Sequence, residues 1–111
     1  MLSKQHRLAK SKEISRVYAR GRSFFSPFFS AKVFYETGKS KFAVVVSTKV
    51  SKKSTQRNRL RRIVREYIRL HMGRFREGNY VITVKSAASQ LLGGEVSKMF
   101  GQFAEKNLIK S

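Results

Sequence analysis

Seventeen residues from Lys49 to Arg65 carry eight cations (Lys49, Lys52, Lys53, Arg57, Arg59, Arg61, Arg62 and Arg65) and no acid. The second half of this run also keeps an apolar face. Leu60, Ile63, Val64, Tyr67, Ile68 and His71 recur at i, i+3, i+4, i+7, i+8 and i+11, which predicts a helix over residues 56–72. On a wheel, Asn58, Arg61, Arg62, Arg65 and Arg69 share an arc of about 100° on the opposite side. A helix of this kind constrains the whole fold, because one flank must be covered by a scaffold while the other stays open. A merely solvated face mixes signs, since Glu–Lys pairs at i, i+4 support a helix. Here Arg57, Arg61, Arg65 and Arg69 stack like charges at that spacing, and Glu66 alone offsets them. The pattern fits a surface that holds a polyanion. Arg offers a planar fork matched to phosphate and can stack on bases, so a nucleic acid, RNA above all, is expected rather than a membrane. A lipid-bound helix would expose its bulky apolar residues, which this one needs for a core.

The rest of the chain shares the imbalance. Twenty-five Lys and Arg stand against six acids, all Glu, for a formal charge of +19 in 111 residues. Self-repulsion on that scale opposes folding alone and predicts stabilisation by a bound polyanion or by sulfate. The length suits one compact domain spanning residues 1–111. Absence of Cys rules out disulfides and thiolate chemistry and is compatible with a reducing compartment. The first eight residues show no apolar signal region, and no apolar run approaches the roughly 20 residues that cross a bilayer. A soluble, cytoplasmic protein with no membrane partner is expected.

Along the chain, residues 1–10 read as a polar, basic, extended arm. Ser11 is placed to cap a short helix carrying Ile14, Val17 and Tyr18, stopped by Gly21. Residues 22–28 read as an apolar connector broken by Pro27, the only proline. Residues 29–36 alternate at strand period, Thr37-Gly-Lys-Ser40 reads as a turn, and Phe42-Ala-Val-Val-Val-Ser47 reads as a buried strand. The expectation is that these two strands pair as an antiparallel hairpin. Tyr80 to Lys85 is a further strand, residues 86–94 a loop, and Glu95 opens a last amphipathic helix. The fold class is therefore α/β, a two-layer sandwich of a small mixed sheet with helices packed on it.

Other features are weaker. Asn58 reads either as an N-terminal capping residue or as a hydrogen-bonding contact to a base edge or ribose. Among Tyr18, Phe24, Phe25, Phe28, Phe29, Phe34 and Tyr35 most belong to a core, and a subset beside the basic helix could stack unpaired bases. A catalytic constellation is missing. No close carboxylate pair suits two-metal chemistry, and His71 falls on the apolar stripe as a core histidine. Gly38-Lys39-Ser40 lacks the upstream glycine of a phosphate loop. A structural RNA-binding protein and a nuclease acting alone are the competing classes; the missing acids and His pair argue against the nuclease.

Arg57-Asn-Arg-Leu-Arg-Arg62, followed by Ile63, Val64 and Arg65, resembles the Arg-Asn-Arg signature of the bacterial ribonuclease P protein subunit. His6-Arg7-Leu8, residues 14–21, Val45-Val-Ser47 with Lys49, and residues 80–84 extend the resemblance over most of the chain. The family implies four strands and three helices in the order α-β-β-β-α-β-α, with a left-handed crossover, a rare hand. It also implies an obligate partnership with a catalytic RNA that removes the 5′ leader of precursor tRNA by Mg²⁺-dependent hydrolysis, with no obligate protein partner. By position, Arg57, Asn58, Arg59 and Arg62 would meet the catalytic RNA, with Lys49, Lys52 and Lys53 holding phosphates beside them. Ile14, Tyr18, Lys32, Arg61, Arg62 and Arg65 would line or edge the cleft for the leader. Ile14 stands where the family often has Phe, and Lys32 where an aromatic can occur. Mg²⁺ would be bound mainly by the RNA, and no residue here is expected to be catalytic.

Overall fold

A computed structural model describes residues 2–110; Met1 and Ser111, the ends of the expected domain, lie outside the described residues. The elements run α1 (Ser11–Arg20), β1 (Arg22–Phe25), β2 (Phe29–Tyr35), β3 (Ser40–Val46), α2 (Ser54–Leu70), β4 (Gly78–Val84) and α3 (Gly93–Asn107). Single 3-10 turns lie at Lys4–His6, Met72–Arg74 and Ser86–Gln90. The order is the expected α-β-β-β-α-β-α, and the sheet is mixed.

The strand order is β1-β2-β4-β3, so β2 and β3 do not form the expected hairpin. β4 lies between them, antiparallel to β2 and parallel to β3. Burial explains the outcome. In β4 every residue except Thr83 is buried, and a strand covered on both faces gains most from a central place. The turn after β2 is therefore drawn to the start of β4: Gly78 N–H donates to the Lys39 carbonyl at 2.7 Å and Glu36 N–H to the Glu77 carbonyl at 3.3 Å. Residues 22–28 also differ from expectation. Their first half is the edge strand β1, paired with β2. Pro27 sits in the turn between them, where Ser26 Oγ accepts from Phe29 N–H at 3.0 Å.

Alternation along the strands separates two faces. Phe29, Val33, Phe42, Val46, Tyr80, Ile82 and Val84 pack against Leu60, Val64 and Ile68 of α2 and Val96, Phe100 and Phe103 of α3. Ring contacts tie this layer together: Phe29 meets Phe100 edge-on at 5.3 Å and Phe42 stacks on Tyr80 at 4.7 Å. On the other face, Val17 of α1, Leu8 and Val81 form a smaller cluster flanked by Ile14, Phe34 and Ala43.

Local details depart from the sequence reading in three places. Lys10, not Ser11, occupies the N-cap of α1, and no side chain caps it. The N-terminal segment is not a free arm: Leu2 and Leu8 are buried, Arg7 bridges to Phe42, and Leu8 N–H donates to the Phe42 carbonyl at 3.0 Å. His71 is half-buried rather than a core residue, stacking on Tyr67 with centroids 4.0 Å apart. Among the described residues, no helix is long and apolar enough to cross a membrane.

Candidate nucleic-acid interface

Leu60, Val64 and Ile68, each at most 1% exposed, fix the rotation of α2 about its own axis. Arg61 and Arg65 then fall on the flank beside β3, an edge strand with carbonyls to offer. Arg61 donates to the Val46 carbonyl at 3.3 Å and to Asn58 Oδ1 at 2.7 Å. Asn58 thus lies inside α2 as an acceptor for Arg61, and its reading as a cap is overturned. Arg7 arrives at the same edge from the N-terminal segment, held by its bridge to Phe42 and by donation to the Leu2 carbonyl at 3.1 Å.

The result is a guanidinium trio. Burial, then the like charges of Arg61 and Arg7, disfavour the Arg65 cation and lower its pKa. Arg65 stays protonated in any case, so the repulsion from Arg61 and Arg7 persists until an anion offsets it. The described ion pairs lie elsewhere: Glu13 with Lys41 at 3.6 Å and Glu66 with Arg69. The Arg69 fork holds the Glu66 carboxyl down, to about 2.

Beside this trio lies a face of the sheet that α1 only half covers. The helix sits over Val81, Phe34 and Ala43. The next row across the strands, Phe25–Ser30–Thr83–Val45, is left open, with Phe25 and Val45 exposed. Tyr18 is half-exposed on α1, and Lys32 Nζ donates to its carbonyl at 3.2 Å. Ile14 turns inward onto the small cluster. A trough results, with hydroxyl and aliphatic floor, an aromatic wall and a cationic edge.

The structure therefore brings Tyr18, Lys32, Arg61 and Arg65 to one region and sends other predicted residues elsewhere. Arg57 donates to the Ser51 and Lys52 carbonyls at 2.9 and 3.0 Å, closing the basic loop from which exposed Lys49, Lys52 and Lys53 project. Arg59 faces the start of α3, with a guanidinium nitrogen 3.1 Å from where a Cβ on Gly93 would stand. Arg62 lines a shallow concavity with Ile63, Glu66, Tyr67, His71 and Ser97, on the α3 side of α2. Sequence reasoning missed Arg7 and Val45 as members of the open face, and it named Phe25 only within a larger aromatic set without separating it from the core rings. Strand alternation held the signal for Val45, which points away from buried Val44 and Val46. Among the described residues, no three His, Cys, Asp or Glu side chains group where they could hold a metal ion.

A family model described as Ribonuclease P matches residues 2–107. The ribonuclease P protein component of a Pseudanabaena species is 33% identical over 93 residues, 81% of this chain and 80% of that one. The protein component of Aromatoleum aromaticum is 33% identical over 105 residues, covering 90% and 88%. The RNase P protein of Staphylococcus aureus superposes with a TM-score of 0.88 over 96% of this chain and 100% of that chain; at 16% identity this speaks for the fold alone. Matched along nearly its whole length, the chain belongs to the ribonuclease P protein family.

Proposed function

We propose that this chain assists an RNA-borne endonuclease by holding two RNAs at once. The 5′ leader of precursor tRNA lies in the trough between α1 and the open sheet row. The catalytic RNA meets the loop carrying Lys49, Lys52 and Lys53 and the adjoining turns of α2 with Arg57, Asn58, Arg59 and Arg62. One observation carries the reading: Arg7, Arg61 and Arg65 cluster beside an open, partly apolar face, and no described ion pair neutralises them.

The division of labour follows from what single-stranded RNA needs. Phosphates are matched by guanidinium forks, and unpaired bases favour an apolar floor with aromatic walls. Arg61 and Arg65 take the strand's phosphates, while Tyr18 and the stem of Lys32 flank its bases. Ile14 supports α1 from beneath instead of stacking. The chain binds and orients; Mg²⁺ and the hydrolytic step belong to the RNA partner. Holding the leader fixes the scissile linkage relative to that RNA, a positional contribution to rate.

Cleavage of precursor tRNA at low Mg²⁺ tests the proposal in three arms: protein alone, catalytic RNA alone, and both together. Strong activity is expected only in the third. Cleavage by the protein alone would overturn the assignment of chemistry to RNA, and no gain on mixing would reduce the chain to a structural RNA binder.

A further inference from the structure

We propose that Phe25 is a base-stacking platform at the far end of the leader trough, an inference that rests on the leader reading above. Its ring is 73% exposed, whereas neighbouring Phe24 packs against the main core. Single exposed apolar residues are common on protein surfaces and by themselves signify little. Phe25 differs in where it stands. It ends the open row Phe25–Ser30–Thr83–Val45, and the guanidinium trio stands at the opposite edge, beyond β3. Its cross-strand partner is Ser30, and Ser23 shares its face of β1. Neither is large enough to cover the side chain. Phe25 also lines a cavity at the sheet edge shared with Phe28, Met99 and Phe103, which leaves most of its surface exposed.

Charge complementarity selects the occupant. A strand entering at Arg61 and Arg65 is an anion, and the row it crosses lacks any acidic side chain. The row spans three strand spacings, about 14 Å, so only a leader several nucleotides long reaches the ring. Lys32, one row away, has no aromatic face to give. Phe25 supplies that stacking surface from the neighbouring strand, and it makes the protein sensitive to leader length.

The test uses the holoenzyme reconstituted with its catalytic RNA. Equilibrium binding is measured for precursors with a long leader and with a leader trimmed to one nucleotide. Phe25→Ala and Phe25→Leu are expected to weaken long-leader binding about tenfold, Phe25→Trp to preserve it, and none to affect the trimmed precursor. Leu matching Phe would reduce the residue to apolar packing, and equal losses on both precursors would reduce it to a structural role; either overturns the proposal. Arg65→Ala is run in parallel. If it discriminates long from trimmed leaders while Phe25→Ala does not, stacking alone fails; if neither discriminates, the leader reading fails with it. Circular dichroism of the free variants should match the parent, since the ring is exposed.

Discussion

Arg65 is the residue whose surroundings make least sense for an isolated chain. It is partly desolvated and sits with Arg7 and Arg61 rather than with an acid. Removing it should leave the thermal stability of the free protein no lower than before, because a disfavoured charge goes with it. Binding should respond differently: Arg65→Ala is expected to weaken precursor tRNA about tenfold more than mature tRNA, the scale of one charge-assisted hydrogen bond. Equal losses on the two RNAs, measured side by side, would reject a leader contact. A second residue tests the fold. A Cβ on Gly21 would stand 2.4 Å from the Val17 carbonyl oxygen and 3.1 Å from that of Val33. Gly21→Ala should therefore cost about 1–3 kcal/mol in urea unfolding, as overpacking does, by prising α1 from the sheet. At this scale the sequence was only partly readable. Charge density marked Arg61 and Arg65, but spacing could not foresee that Asn58 would be taken up by Arg61 or that Arg57 would be turned back on its own loop.

At the scale of elements, periodicity succeeded where burial was one-sided. The stripe Leu60–Val64–Ile68 located α2 within two residues at each end. Pairing was not legible. Two apolar strands joined by a short turn give a strong local signal for a hairpin, and nothing local reveals that a strand some thirty residues further on will outbid the neighbour. The insertion of β4 is a global result, set by its covering on both faces. It also shapes the site: β3 is left as an edge, and its Val46 carbonyl anchors Arg61. That geometry predicts a separation of roles within one helix. Replacing Arg61 and Arg65 together by Ala should lower the log–log salt slope of precursor binding by about 1.4–1.8, two phosphate contacts' worth. Leu60→Ala should cost about 2–5 kcal/mol of stability yet leave that slope intact at temperatures where the protein stays folded. A slope unchanged by the double substitution would mean that these forks touch no phosphate.

For the molecule as a whole, the decisive quantity is the charge of +19, with few described ion pairs to offset it. The surplus works against the compact state and is relieved by any anion that binds the folded form at a place the unfolded chain cannot recreate. The trio at the β3 edge is such a place, since Arg7 is brought near Arg65 by the pairing of the N-terminal segment with Phe42. Linkage then fixes the sign: ligand bound to the native state alone raises stability, by about 2.7 kcal/mol at a hundredfold excess over Kd. For a chain of this size that corresponds to a Tm rise of about 10 °C. Screening by salt also relieves repulsion, so the comparison must be made at matched ionic strength, with sulfate or a short single-stranded RNA against chloride. Specific occupancy predicts that sulfate and RNA raise Tm well beyond chloride, and that Arg61→Ala with Arg65→Ala removes most of the difference. If chloride at equal ionic strength stabilises as much, or the doubly substituted protein responds like the parent, the surplus charge acts only as a diffuse field and the trio is not where the polyanion is held.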